Sequence, residues 1–248
     1  MIQPLFDSVI YNPLYNTLAF LVGVVPGGDV GVAIIALTLL IKVVLFPLSI
    51  VAIKTQVAMR EIDPELKALK KEYKDDREAL AKKTMALLKD KKVNPFASIF
   101  LILIQLPIIF GLYFVFLSEA GGASFDIARL YSFVVNPEVV SFSFLGVIDL
   151  TGRNILLALI VAVTQFINAR LMMPTAPQGE EGSMQHDLAK SMHIQMRYVF
   201  PIIMGAVAYA ISAAIALYFV VSNLFALFQE LYVKHTKMRG AHNETSAP

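Results

Sequence analysis

Long apolar windows constrain this chain more than any other feature of its sequence. An α-helix rises about 1.5 Å per residue, so about 20 apolar residues cross the hydrocarbon core of a bilayer. Windows at residues 30–53, 95–117 and 155–173 meet this length, and the block 198–233 is long enough for two crossings. Hydrophobic residues make up 57% of the chain and charged residues only 16%, which is unusual for a soluble domain. We predict an all-α polytopic membrane protein with five transmembrane helices, the last two joined near Ser212.

The segment 5–25 is apolar but carries polar residues that include Asp7, Asn12 and Asn16. A helix with such a stripe, ending at the Pro-Gly-Gly sequence of residues 26–28, is more typical of the membrane interface than of a span. We predict an interfacial amphipathic helix here, and a spanning helix is the alternative.

Lysine and arginine residues are concentrated in the loop between the first two windows. Twelve lie there: Lys54, Arg60, Lys67, Lys70, Lys71, Lys74, Arg77, Lys82, Lys83, Lys89, Lys91 and Lys92. No lysine or arginine precedes Lys42, so no cleavable signal peptide is expected. The loop 118–154 contains only two such residues, Arg129 and Arg153. Because positively charged loops stay in the cytoplasm, the N terminus is predicted outside and the C terminus inside, which requires an odd number of spans.

These features divide the chain into alternating membrane and loop segments. In chain order they are an extracytoplasmic segment with the interfacial helix (1–29), TM1 (30–57), a cytoplasmic helical hairpin (58–93), TM2 (94–117), an extracytoplasmic loop (118–153), TM3 (154–173), a cytoplasmic loop (174–196), TM4 (197–212), TM5 (213–233) and a cytoplasmic tail (234–248).

The charged segment 58–93 has the signals of two amphipathic helices. An Asp-Pro pair provides an N-cap followed by proline at the first helical position, and an aspartate three residues before Glu78 has the spacing of a capping box. We interpret the segment as a docking hairpin; a solvated connector that carries the positive-inside charge is the alternative. Its predicted docking residues are Asp63, Pro64, Tyr73, Asp75 and Asp76.

Lys42 lies near the middle of the first window, about eleven residues from each end. At 1.5 Å per residue each interface is ~16 Å away, which a lysine side chain cannot reach. The spans offer no carboxylate at mid-membrane, and Glu230 lies at the cytoplasmic end of the last one. An ion pair is therefore not expected, and the cost of the charge, roughly 2.5–3.5 kcal/mol, indicates a functional role.

Uncharged polar residues at helical spacing accompany Lys42 in four of the predicted spans. They are Thr38 and Ser49 in the first, Ser98 and Gln105 in the second, Gln165 and Asn168 in the third, and Tyr218 and Ser222 in the last. Single polar residues can be interhelical contacts worth about 0.6 kcal/mol, but four stripes and one cation favour a hydrated groove. Pro47 and Pro107 are expected to kink their helices and open it.

No catalytic or metal site is predicted. The chain has no cysteine, its four histidines lie in loops or the tail, and no carboxylate pair lies at mid-membrane, which leaves no acid/base or metal-ligating constellation. No nucleotide-binding loop is found. We therefore expect neither an enzyme nor a cofactor.

Several motifs resemble the YidC/Oxa/Alb family of membrane protein insertases. The first is the run from Thr38 to Pro47, in which a cation follows a threonine by four residues, and the second is the hairpin turn from Tyr73 to Arg77. The others are residues 93–95 at the start of the second span, residues 103–107 in its middle, and residues 217–224 in the last span. The resemblance covers about residues 8–235. Two departures are a lysine where bacterial members more often have arginine, and Ile-Ser-Ala-Ala-Ile at 211–215 in place of a Pro-Ser-Gly-like turn.

The resemblance implies an insertase and chaperone of the bacterial plasma (inner) membrane, with a groove open to cytoplasm and lipid and closed outside. It implies nascent membrane proteins and the lipid bilayer as partners, with the Sec translocon, the signal recognition particle receptor and the ribosome as further ones, and no sequence-specific nucleic acid binding. Two alternatives remain: an anion channel or small-solute transporter that uses Lys42 as its binding charge, although no internal repeat supports it, and a purely structural assembly factor.

Overall fold

The computed structural model describes residues 2–74, 76–91, 93–94, 96–119, 125–172 and 190–245. Its helices are α1 (Ile2–Phe6), α2 (Asn12–Val24), α3 (Val30–Val44), α4 (Phe46–Glu61), α5 (Asp63–Glu72), α6 (Arg77–Asp90), α7 (Phe96–Glu119), α8 (Ile155–Met172), α9 (Lys190–Ile211) and α10 (Ala213–Thr245). A π-helical turn, Asp7–Tyr11, joins α1 to α2, and another, Gln195–Val199, lies within α9. The strands β1 (Ser143–Phe144) and β2 (Ile148–Asp149) form a small antiparallel hairpin between α7 and α8.

Three helices in the described part of the chain are long and apolar enough to cross a membrane: α8, α9 and the portion Ala213–His235 of α10. The pair α3 and α4 passes the same test together, which raises the number to four if the pair is one span. Helix α7 is 24 residues long, and its stretch Leu103–Phe116 is apolar. The predicted all-α membrane architecture is therefore confirmed, and the number of five spans stays a prediction.

The first predicted span is bent by 66° between α3 and α4. Pro47 stands in the first turn of α4, and because it has no N–H to donate to the carbonyl of Val43, the hydrogen-bond ladder of the helix is interrupted there. The kink predicted at Pro47 is confirmed. Pro107 instead lies inside α7, which continues to Glu119 without a break in its helix. The bend places Lys42 in the last turn of α3 rather than in the middle of a straight span.

Helix α8 packs between α9 and α10, and α10 also packs on α3. The contact of α9 with α8 is close because Gly205 faces two alanines: a Cβ at Gly205 would lie 2.9 Å from the Cβ of Ala162 and 3.1 Å from the carbonyl oxygen of Ala158. Small residues at such a crossing let two membrane helices approach closely, and the gain is van der Waals packing.

Replacing Gly205 by valine is expected to destabilise the protein by about 1–3 kcal/mol, since the side chain must force α9 away from α8. Unfolding in mixed detergent micelles measures the change. Ala206→Val, at the exposed neighbouring position, is the matched control and should change stability little. Equal effects at both positions would show that the loss does not come from the helix crossing.

The segment 5–25 is helical as far as Val24, and one of its faces is buried against the bundle. Tyr15, Leu18 and Val22 are among its buried residues, and α2 packs against α3 and α7. Asn16, one of the polar residues of the stripe, donates through Nδ2 to the carbonyl of Arg129 (3.0 Å) and accepts from the N–H of Tyr131 (2.6 Å). Part of the stripe therefore binds the loop after α7, and the interfacial position of the helix stays a prediction.

A break at Ser212 separates α9 from α10, as predicted. Ser212 has extended backbone angles (φ −165°, ψ 160°). The first free N–H groups of α10, those of Ala213 and Ala214, donate to the carbonyls of Gly152 (2.8 Å) and Leu150 (3.2 Å). The loop before α8 thus caps the start of α10 and satisfies N–H groups that have no partner within the helix.

Helices α5 and α6 form the predicted hairpin, with Tyr73 half-buried at the end of α5. The hydrogen bond of Tyr73 with Glu72 raises the pKa of the Tyr73 phenol. Lys91 donates to Glu65 across the hairpin at 2.9 Å, which raises the pKa of Lys91. Leu88 is buried against the end of α4, so the hairpin docks on the bundle at this point.

Two details of the predicted hairpin caps are wrong. Asp63 does not cap α5: the chain continues from α4 through Ile62 in helical conformation, Pro64 occupies the first turn, and Asp63 pairs with Lys67 at 2.6 Å instead. The N-cap of α6 is Asp76, which accepts from the N–H of Ala79 at 2.9 Å. The predicted capping box began one residue earlier, at Asp75, which lies outside the described residues.

Candidate functional site

Lys42 lies at the edge of the buried face of α3 and is half-buried. One helical turn before it Thr38 is 1% exposed, whereas Val43, on the opposite flank, is 61% exposed. Within the described residues the structure shows no hydrogen bond or ion pair to Lys42. The carbonyl end of α3 lies beside this residue, and the helix dipole there favours a cation, although it does not replace the water that the ammonium group loses.

The two polar neighbours predicted in the first span are both buried and bonded. The hydroxyl of Thr38 donates to the carbonyl of Ile34 at 2.6 Å. Ser49, beyond the bend, donates to the carbonyl of Phe46 (2.9 Å) and accepts from Nε2 of Gln229 (2.6 Å). The bend turns Ser49 toward α10, so the continuous stripe through Thr38, Lys42 and Ser49 expected of a straight helix is not formed.

Gln105 and Tyr218 join α7 to α10, because Nε2 of Gln105 donates to the phenol oxygen of Tyr218. Gln105 is half-buried, Tyr218 is 3% exposed, and Ser222 lies one turn further along α10 and is 8% exposed. The structure thus brings three predicted groove residues together. Ser98 lies in the first turn of α7, and its side chain is outside the described part of the structure.

Asn168 belongs to a buried polar contact between α8 and α10. Its Nδ2 donates to the carbonyl of Asn223 (3.1 Å), and Nδ2 of Asn223 donates to the hydroxyl of Thr164 (3.0 Å). Gln165 is half-buried on a neighbouring face of α8. Thr164 was missed by the sequence reasoning, although its spacing of four residues from Asn168 was a usable signal.

The buried carboxylate of Glu230 connects three helices at one end of the bundle. Glu230 is 1% exposed and lies 3.6 Å from Arg60 of α4 and 3.0 Å from Lys234 of its own helix. Lys234 also donates to the carbonyl of Leu171, at the end of α8 (3.4 Å). Glu230 therefore forms ion pairs with Arg60 and Lys234. The sequence alone gave no means of finding Arg60 as the partner of Glu230.

An apolar cavity of about 360 Å³ lies between α7, α9 and α10. Residues from all three helices line it, with Tyr218 on its wall: Ile109, Phe110, Leu112, Tyr113, Phe116, Val207, Ile211, Ile215, Tyr218 and Phe219. Through Tyr218 and Gln105 the cavity borders the polar contact described above. This cavity could not be predicted from the sequence, because helical periodicity does not reveal which apolar faces leave a gap between them.

The contact between Ser49 and Gln229 supports a quantitative prediction. Ser49→Ala and Gln229→Leu are expected to couple by about 0.6 kcal/mol, and by no more than ~1.7 kcal/mol, the range of interhelical hydrogen bonds in membrane proteins. A double-mutant cycle on unfolding in detergent micelles measures the coupling, with the exposed pair Glu78 and Lys82 as a comparison. Strict additivity of the two changes would contradict the contact.

Fold and site together define a polytopic α-helical membrane protein. At the bend of an apolar helix it has a cation, Lys42, that has no partner among the described residues. The model of the 60Kd inner membrane protein family matches residues 21–241. The chain belongs to this family, and the predicted resemblance is confirmed.

Relatives of similar length cover nearly the whole chain. A "Membrane protein insertase YidC" of Clostridium tetani is 30% identical over 244 residues, which are 98% of this chain and 93% of that protein. A protein of the same name from Fusobacterium nucleatum is 32% identical over 228 residues, 91% of this chain and 97% of the relative. The relative of that name in Paraburkholderia phymatum is longer: the match, 31% identical, covers 94% of this chain and 37% of that protein.

Proposed function

We propose that the chain is a membrane protein insertase and chaperone that moves short polar segments of nascent membrane proteins into the bilayer. The observation that carries the proposal is Lys42, a half-buried cation at a helix bend with no partner in the described residues. Two proteins with the name "Membrane protein insertase YidC" match the chain over almost its whole length. A charged side chain within an apolar membrane helix costs roughly 2.5–3.5 kcal/mol, and this cost indicates a functional role for Lys42.

Five spans follow if the bent pair α3–α4 and helices α7, α8, α9 and α10 each cross the bilayer once. The N terminus then lies outside, the hairpin α5–α6 and the C terminus lie in the cytoplasm, and the membrane is the bacterial inner membrane. The segment boundaries predicted above stand as this proposal's topology, with α2 in the outer interface. The basic residues of the hairpin support the orientation, because positively charged loops stay inside.

Within the groove we assign two kinds of role to the predicted residues. The half-buried side chains of Lys42, Gln105 and Gln165 hold water and meet the polar segment of the substrate, with Ser98 in the first turn of α7. The buried residues Thr38, Ser49, Asn168, Tyr218 and Ser222 shape the groove by holding the helices that form it. Lys42 attracts acidic residues of the substrate, and the low dielectric of the site strengthens that attraction.

The apolar cavity between α7, α9 and α10 provides a path for the hydrophobic segment of the substrate. It borders Gln105 and Tyr218, so a substrate whose polar end lies near the groove can place its apolar part in the cavity without crossing water. The walls are almost wholly apolar side chains. Transfer of such a segment from cavity to lipid then exchanges one apolar surface for another, at little cost.

The hairpin α5–α6 is the proposed docking element for the substrate and its delivery machinery. Its exposed lysines suit acidic or phosphate-bearing surfaces, and the Sec translocon, the signal recognition particle receptor and the ribosome are the partners we propose for it. Its contact with α4 through Leu88 connects a docked partner to the helix that follows the bend.

Reconstitution of the purified chain alone tests the function. In liposomes without translocon or nucleotide, we expect a short single-span substrate with an acidic N-terminal tail to become protected from protease, while empty liposomes protect none. An anion-sensitive dye inside the same vesicles tests the rival anion channel. Halide flux without protected substrate would overturn the proposal in favour of the channel.

A further inference from the structure

The turn between β1 and β2 is held at the start of α3. Asp29 caps α3 through Oδ1, which accepts from Gly31 (2.8 Å) and Val32 (3.1 Å), and its Oδ2 accepts from the N–H of Leu145 (2.8 Å). Ser141 exchanges backbone hydrogen bonds with Gly28 and Val30, each at 2.9 Å. The turn is thereby fixed beside the first residues of α3, an apolar helix.

Leu145 has a backbone conformation that leucine disfavours. Its φ is 52° and that of Gly146 is 71°, and the turn is closed by a hydrogen bond from Val147 to the carbonyl of Phe144 (3.0 Å). Two central residues with positive φ are a pattern that selects asparagine, aspartate or glycine. Leu145 is nevertheless 67% exposed, so packing within the described protein does not explain why a leucine stands there.

The segment that carries Leu145 is apolar, and several of its side chains are exposed. Val147 is 83% exposed and Val139 is 60% exposed, and residues 139–148 contain no charged side chain. A strained backbone that presents a leucine outward points to a partner outside the chain, and an exposed apolar segment without charged side chains, fixed beside an apolar helix, fits lipid.

We infer that the β1–β2 turn inserts Leu145 and Val147 into the outer leaflet of the bilayer, at the boundary between headgroups and acyl chains. The turn is bonded to Asp29, so this contact anchors the outer end of α3, the helix that carries Lys42. The inference is independent of the insertion activity, since it concerns the depth at which the protein sits.

Tryptophan fluorescence tests the inference cleanly, because the chain has no tryptophan. Val147→Trp and Leu145→Trp are each reconstituted into phosphatidylethanolamine and phosphatidylglycerol vesicles, with and without bromine atoms on the upper acyl chains. We expect blue-shifted emission and roughly twofold quenching by the brominated lipids, as for a side chain buried at the interface. Val147 does not have a positive φ, so the Val147→Trp variant still tests the inference if the Leu145→Trp variant misfolds.

Lys82→Trp, on the exposed face of α6 where Lys82 is 76% exposed, is the control and should remain unquenched. Water-like, unquenched emission from both turn variants would overturn the inference. A blue shift that brominated lipids do not quench, and that becomes smaller as the protein is diluted in lipid, would also overturn the inference. A second copy of the chain would then cover the turn.

Discussion

Replacing Lys42 by alanine is expected to reduce insertion of a substrate with an acidic N-terminal tail by at least about tenfold, the equivalent of about 1.4 kcal/mol. The variant loses the attraction between Lys42 and the acidic residues while they cross a region of low dielectric. Lys42→Arg keeps the charge and should retain most of the activity, although arginine spreads the charge over a planar group. Protease protection in proteoliposomes measures the effect.

Two controls isolate the charge of Lys42. Lys54→Ala removes an exposed lysine from the same bent pair of helices and should leave insertion unchanged. A substrate whose acidic residues are changed to asparagine and glutamine should depend little on Lys42. Full activity of Lys42→Ala with the acidic substrate would remove the electrostatic part of the mechanism.

Glu230→Ala is expected to destabilise the protein by about 2–3 kcal/mol. Removing one partner of a fully buried ion pair costs roughly 3–5 kcal/mol, and the loss is smaller here because Arg60 and Lys234 are 22% and 32% exposed. The variant leaves two neighbouring cations without their shared carboxylate, at the point where α4, α8 and α10 meet. Unfolding in detergent micelles, followed by circular dichroism, measures the change.

The exposed pair of Glu78 and Lys82 provides the matched control for Glu230. Glu78 is 81% exposed, so Glu78→Ala should cost no more than about 0.5 kcal/mol. Adding Arg60→Met to Glu230→Ala should recover part of the lost stability, since one uncompensated cation is then removed. A stability change as small as that of Glu78→Ala would show that the buried ion pairs do not stabilise the bundle.

Local features of the sequence predicted much of the fold. Apolar windows of bilayer length located the helices, the break at Ser212 separated α9 from α10, and the missing N–H of Pro47 produced the predicted kink. Pro107 lies inside α7, which is helical on both sides of it, and the kink expected there stays a prediction. Whether proline interrupts a helix depends on the packing around that helix, which the sequence does not reveal.

The candidate site was predicted less completely, for geometric reasons. A helical wheel assumes a straight axis, and the 66° bend turned Ser49 away from Lys42 and toward Gln229. Residues predicted to face water, such as Thr38 and Asn168, instead bond within the bundle. Arg60 and Glu230 are distant in sequence, so only the tertiary structure could pair them. Lys42 itself was found because its cost in an apolar window is large.

Site-specific photocrosslinking tests most directly the claim that a substrate occupies the groove. A photoreactive residue is placed at position 42 or 105, and at Leu159 on α8, which is 56% exposed on the bundle surface, as the control. With a ribosome-bound nascent membrane protein, we predict crosslinks from positions 42 and 105 and few from position 159. Equal crosslinking at all three positions, or none at 42 and 105, would contradict the account.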